Sequence, residues 1–339
     1  FAAGRVMGMR KLIIKFSCEQ RGSVAIVTAM LMVVLIGVSA FALDFGVNYD
    51  NASRLQNSLD SAVLAALQEL PADSTSSSDW AAAENVAIAY AALNGFDIDT
   101  NDIEPIYKNN IAEDGIIGLK ATKSVVVEYN FAKVFGIDSG TVTRSSSAGL
   151  VPIGGITGAV PLSITSSSLS NAIEKGVYTG LTIKCSSSTG EIGIDCTGVK
   201  GWFGALQFDG TGASTYANLL TFGYTGVLTV GQVLEMENGN MSGPTMDGFT
   251  TRYNKCKDGC TAQNYLPDCP RLVYVPVVEV ISGSEVKIVS FASFFLESCG
   301  GNGNDSYIKA TYIEGTVVPD SASGLSGQDF GLYVGKLLD

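Results

Sequence analysis

The chain has 339 residues, 46% hydrophobic and 16% charged, with a net charge of −12 and no histidine. The missing imidazole excludes Ser-His-Asp and Cys-His catalysis and histidine-ligated zinc. The acidic surplus repels a phosphate backbone, so nucleic acid is not an expected partner.

Residues 1–22 carry a net charge of +4 and the remaining 317 a net of −16. The first segment reads as a basic cytoplasmic tail. From Val24 to Leu43 there follow twenty residues without a charge, which as a helix measure about 30 Å, the thickness of a bilayer's hydrocarbon core. Basic residues flanking a first span stay in the cytoplasm, which places everything after Asp44 outside. Val38-Ser39-Ala40 and Ala40-Phe41-Ala42 have the form of a signal-peptidase site, but the apolar run exceeds the 7–15 residues of a signal peptide, and an uncut cell-membrane anchor is the reading adopted.

Asp44 ends the apolar run without ending the helix. Leu55, Leu59, Ala62, Val63 and Ala66 recur at three- and four-residue intervals, with Arg54, Asn57, Asp60 and Ser61 between them. Residues 23–70 are therefore expected to be one helix, transmembrane first and amphipathic second. Its apolar stripe is a candidate interaction surface for other helices or for its own domain. Pro71 supplies the stop.

The fold class expected beyond the helix is α+β. A small α+β domain spans 71–150, with a helix Trp80 to Leu93 and strands at Ile103 to Tyr107, Ile116 to Ala121, Val125 to Tyr129 and Thr141 to Ser147. Phe131 to Phe135 reads as a helical turn. A mostly β domain with disulfides spans 151–320. It has one helix, Ala213 to Phe222, a strand at Trp202 to Phe208, and a hairpin of Arg271 to Ile281 with Val286 to Phe295. Residues 321–339 are Ser/Gly-rich at their start and expected to be a flexible tail.

Six cysteines fall on the expected exterior side: Cys185, Cys196, Cys256, Cys260, Cys269 and Cys299. An exported location favours three disulfides, with Cys185 and Cys196 bracketing a hairpin as the safest pair. A Cys₄ zinc set of Cys256, Cys260, Cys269 and Cys299 is the alternative use of four of them. Asp97, Asp99, Asn101 and Asp102 resemble the opening of a calcium loop. Position six is Asp102 where glycine is needed, and position twelve is Lys108 where glutamate is needed. A solvated acidic turn is the simpler reading. No nucleophile elbow, Walker loop or paired-carboxylate pattern occurs, so neither catalysis nor a cofactor is expected.

Arg21-Gly22-Ser23-Val24-Ala25-Ile26, the apolar span, Leu43-Asp44-Phe45-Gly46, and the run Arg54-Leu55-Gln56-Asn57-Ser58-Leu59-Asp60-Ser61-Ala62-Val63-Leu64-Ala65-Ala66 together resemble the N-terminal segment of TadE/TadG-like proteins. Phe131-Ala132-Lys133-Val134-Phe135-Gly136-Ile137-Asp138-Ser139 resembles the segment that closes that region. The resemblance implies a single-pass structural or accessory component of tight-adherence (Flp-type) pilus assembly, with the membrane and other assembly proteins as partners. An anchored adhesin or binding module outside pilus building is the alternative. The span lacks the glutamate that pilin-like members carry just after their processing site.

Overall fold

The computed structural model describes residues 21–184, 202–237, 239–316 and 327–338. Its first element is a single unbroken helix, α1, Arg21–Ala66, about 70 Å long at the usual rise per residue. Among the described residues it is the one helix long and apolar enough to cross a membrane. Almost every side chain from Val24 to Leu43 is exposed, whereas Ala52, Leu55, Leu59, Ala62, Val63 and Ala66 are buried. One helical phase thus carries an exposed apolar half and a packed half. A 3₁₀ turn, Leu67–Glu69, ends it just before Pro71.

Helix α2, Ser78–Leu93, matches its expected position and stops at Asn94-Gly95, with Gly95 at φ +87°. Then come β1, Ile103–Tyr107, β2, Ile116–Glu128, and β3, Ser139–Pro152. The two strands expected at 116–121 and 125–129 are one continuous strand. Short strands β4, Gly155–Ile156, and β5, Ile164–Thr165, precede helix α3, Ser166–Glu174. Next are β6, Leu181–Lys184, helix α4, Ala213–Phe222, β7, Leu228–Thr229, β8, Val233–Glu235, and helix α5, Ser242–Tyr253. The chain closes with β9, Leu272–Val280, β10, Glu285–Gly300, β11, Tyr307–Ile313, β12, Gly315–Thr316, and β13, Leu332–Leu338. A five-stranded sheet runs β1-β2-β3-β13-β12. A six-stranded one runs β5-β9-β10-β11-β6, with β8 also paired to β10.

The chain divides into two compact units interleaved in sequence: 1–62 with 87–103 and 121–146, and 63–86 with 104–120 and 147–339. Domains drawn contiguously as 71–150 and 151–320 do not follow this division, because composition is read along the chain and packing is not. In the first unit, Leu55, Leu59 and Ala62 are buried, as are Ala87, Ala91, Ile98, Val127 and Val142. The buried Ser58 hydroxyl donates to the Ala91 carbonyl at 3.2 Å, joining α1 to α2 where both carry small residues.

The second unit is built on β10, whose residues from Val286 to Leu296 are nearly all buried. Such a continuous run marks a strand covered on both faces. Val286, Ile288 and Phe291 pack in one cluster with Leu228, Leu234 and Val278, and Ala292, Phe294 and Leu296 in another with Val273, Val275 and Val277. The exchange of faces happens at a bulge between Ile288 and Ser290, where one extra residue inverts the alternation. Helices α3, α4 and α5 supply Leu169, Tyr216, Leu220 and Phe249 to the second cluster. Helices α4 and α5 meet at Gly248, where a Cβ would lie 2.9 Å from the Ala217 carbonyl oxygen, and only glycine fits. Arg252 ties the pair together, donating from Nε to the Leu220 carbonyl at 2.6 Å and from Nη1 to the Pro270 carbonyl at 3.0 Å.

Three expectations are corrected. The flexible tail does not extend to the end of the described chain: Leu332–Leu338 pairs antiparallel with β3 from Tyr333↔Pro152 to Leu338↔Ser147. Buried Leu332 and Tyr333 outweigh the Ser/Gly-rich segment before them. The expected disulfides are not found among the described cysteines, and Cys256, Cys260, Cys269 and Cys299 are all free. The Cys256 and Cys269 sulfurs are 3.7 Å apart, far beyond a bond of about 2.05 Å. Cys185 and Cys196 lie outside the described residues. Finally, the strand expected at 202–208 is replaced by isolated bridges at Ala205 and Leu206.

Lys184 at the end of β6 is fully buried. Its ammonium donates to Asn240 Oδ1 at 3.0 Å and Ser306 Oγ at 2.8 Å, neutral oxygens rather than a carboxylate. Burial brings its pKa down to about 8, while the nearby Cys299 acts in the opposite direction. The unfolded chain therefore holds this proton more tightly, and the cost of charging Lys184 is present in full below pH 8. The cost disappears as pH rises from about 8 to the unfolded value of 10.5. Thermal unfolding of the detergent-solubilised full chain should show wild type gaining on the order of 2 kcal/mol relative to Lys184→Met across that window.

Candidate functional site: the Asp44 clasp

Asp44 is the first charge after the apolar run, and a carboxylate there must find donors. It finds three. Its Oδ1 accepts from the Asn130 N–H at 2.9 Å, and its Oδ2 from Phe131 N–H at 3.0 Å and Ala132 N–H at 2.6 Å. The side chain is only 5% exposed. The donors sit at the start of the 3₁₀ turn Ala132–Phe135, where backbone N–H groups have no partner within the turn. Local capping fails because the N-cap position is Phe131, which has no acceptor of its own. Asp44 performs the cap from 86 to 88 residues away. A negative charge at that end also suits the turn's backbone dipoles.

The turn is closed on its other side by Gly136 at φ +80°, whose N–H bonds the Lys133 carbonyl at 3.0 Å. The Tyr129 N–H donates to the Asp138 carbonyl at 3.0 Å and closes the loop. Lys133 turns away to Glu128 at 2.7 Å, and that hydrogen bond raises its pKa. Beside the clasp is an open apolar cup of about 360 Å³ lined by Gly37, Ala40, Phe41, Phe45, Tyr129, Phe131, Phe135 and Ile137. Phe41 and Phe45 stack one helical turn apart, with ring centroids 6.3 Å apart. Val134 and Phe135 are 83% and 76% exposed, a large apolar display for a four-residue turn.

The sequence-derived candidates are placed as follows. Leu55, Leu59, Ala62, Val63 and Ala66 are buried within the folded chain, so the stripe is internal packing here. Asp99 accepts from the Asn101 N–H at 2.8 Å, and Asp102 accepts from the Asp99 N–H at 3.0 Å, a capping box. Those backbone and side-chain hydrogen bonds from Asn101 lower the Asp99 pKa. Lys123 binds Asp102 at 2.7 Å, so the acidic turn is spent on capping and an ion pair. The structure brings Cys256, Cys260 and Cys269 together, all three sulfurs within 4.8 Å of one another. Cys299 packs on the large core cluster instead.

Asp44 is absent from the candidates that sequence reasoning singles out as site residues. The signal is nevertheless present: Leu43-Asp44-Phe45-Gly46 and Phe131–Ser139 are both recognisable as family-like pieces, and the structure shows them in direct contact.

Residues 22–73 match the family model of putative Flp pilus-assembly TadE/G-like proteins. This segment is similar to TadE/G-like proteins. The match covers the apolar span, Asp44 and the buried stripe, and it associates the chain with Flp pilus assembly. Proteins of this kind are generally structural rather than enzymatic. No curated protein and no solved structure matches the chain.

Replacing Asp44 by alanine leaves three backbone donors unsatisfied and should cost about 1–3 kcal/mol. Asp44→Asn retains one acceptor oxygen and should lose less. Limited proteolysis of the full chain in detergent should show cleavage within 130–138 fastest in Asp44→Ala, intermediate in Asp44→Asn and slowest in wild type.

Proposed function

We propose that this chain is a single-pass, membrane-anchored structural or accessory component of Flp-type pilus assembly. Its N-terminus lies in the cytoplasm and the units after the span lie outside. The TadE/G-like match over residues 22–73 carries the reading. Twenty uncharged residues in an exposed helix and a basic segment before them support the anchor and its orientation.

The clasp gives the anchor a mechanical role. A helix leaving the bilayer is free to pivot unless its exit is tied to folded protein. Asp44 ties it at the residue that follows the last apolar one. Phe131, Val134, Phe135 and Ile137 are exposed next to that point, and in an anchored protein they rest in the interfacial layer as an apolar collar. The first unit is then held at a fixed angle to the membrane surface, as an assembly component presenting a face to neighbours requires.

Full-length protein tagged at its C-terminus and extracted in mild detergent should co-purify with pilin, platform or secretion-ATPase components of the same system. Protease added to intact cells stripped of their wall should remove the C-terminal tag. Extraction without detergent, or a tag protected until lysis, would overturn the anchored orientation; isolation free of every assembly component would overturn the pilus role.

A further inference from the structure

The loop between α5 and β9 does something its length does not require: it returns twice to the same point. After Tyr253 the chain turns through Lys257-Asp258-Gly259, with Gly259 at φ +64°, and delivers Cys260 beside Cys256. A bridge between Thr261 and Asn264 reverses it again, and the Cys269 N–H bonds the Leu266 carbonyl at 2.9 Å, bringing the third sulfur to the other two. Cys260 and Cys269 are buried, and Cys256 is the part-exposed member.

We propose that Cys256, Cys260 and Cys269 form a three-thiolate site for a thiophilic divalent metal, zinc being the one their chemistry fits best. The spacing of the sulfurs argues for it. A tetrahedral zinc with bonds of about 2.3 Å sets its sulfurs about 3.8 Å apart, and Cys256 and Cys269 are 3.7 Å apart. Three thiols are also the wrong number for disulfides, since one bond leaves a third sulfur buried against it. A metal engages all three.

The surroundings suit thiolates. The backbone N–H groups of Asp258 and Cys260 favour the ionised form of the Cys256 thiol, and that of Arg271 favours ionised Cys269. Such donors fix ligand orientation and stabilise the ionised form. Arg271 also donates from Nη1 to the Cys260 carbonyl at 2.9 Å and from Nε to the Leu296 carbonyl at 2.9 Å. Its guanidinium lies 4.3 Å from the Tyr253 ring centre and 4.4 Å from that of Phe295, which anchors the loop to β10. Three thiolates and a divalent cation leave one negative charge, and this arginine stands beside it. Without a metal the Cys256 thiol is drawn toward ionisation, chiefly by the Cys260 N–H, while burial pushes Cys269 up to about 12. Loading the site releases the thiol protons to solvent, so affinity rises with pH. Three protein ligands leave a fourth position for water or an exchangeable ligand.

The inference stands apart from the pilus reading and has its own test. Full-length protein purified in detergent with reductant is loaded with zinc chloride, dialysed and analysed for metal. Wild type and Cys299→Ser should retain about one zinc per chain. Cys256→Ser, Cys260→Ser and Cys269→Ser should each retain less than about a tenth of that. Cobalt in place of zinc should give the visible absorption of a tetrahedral thiolate complex. Because a buried cysteine variant can misfold, wild type is also titrated with a mercurial, and zinc should leave in step with modification of these three thiols. No retained zinc in reduced wild type would overturn the proposal, as would a mass-mapped disulfide between two of the three in protein isolated without reductant.

Discussion

A helix that passes from an apolar stretch into a folded unit meets one constraint at the crossing: the first charge must be satisfied at once. In this chain the charge is Asp44, and it is satisfied by backbone N–H groups of a turn that could not cap itself. Each side removes the other's defect. The carboxylate gains three donors in place of water, and the turn gains the acceptor that Phe131 lacks. Hydrogen bonds to an ionised acceptor are stronger than neutral ones, so this contact is well suited to hold a long lever at its fulcrum. α1 itself has no proline or cap between Arg21 and Ala66, so direction set at Asp44 is transmitted along the helix in both senses.

What could be read from the residues follows from the kind of signal each element carries. The apolar run and the Leu55-Leu59-Ala62-Ala66 periodicity repeat over many turns, and both are where they were expected. The β9–β10 hairpin was legible because its strands are long and its turn, around Ser282-Gly283-Ser284, is short. Helices α3 and α5 were not. The first is Ser-Ser-Ser-Leu-Ser-Asn-Ala-Ile-Glu, started by the Thr165 hydroxyl accepting the Ser168 N–H, and the second contains two glycines and a proline. Local preference argues against both, and packing of Leu169 and Phe249 into the core overrides it.

The bulge in β10 shows why face assignments fail in such a strand even when its existence is obvious. Val286 and Ile288 share a cluster, as do Ala292, Phe294 and Leu296, yet all five occupy even-numbered positions. Strict alternation would put them on one face. One extra residue at Val289 divides them, and nothing in a run this uniformly apolar marks where the insertion falls. The same limit applies to β13, whose residues look like the end of a fraying tail until Leu332 and Tyr333 are seen buried beside β3.

The candidate site was half legible for a related reason. Asp44 and the Phe131 turn were each visible as short patterns, but pairing them requires knowing that two segments almost ninety residues apart converge. The cysteines pose the reverse problem. An even count on the expected exterior side suggested covalent pairs, and the count treated all six as equivalent. Their neighbourhoods are not equivalent. Cys299 lies in a packed apolar core beside Lys184 and Ile308, where burial keeps its thiol protonated. Cys256, Cys260 and Cys269 lie on a loop that supplies backbone donors to sulfur and an arginine held by two rings. A cysteine in the first setting is a small apolar side chain; three in the second form the proposed ligand set. The distinction rests on what surrounds each sulfur, and residue spacing along the chain has no access to it.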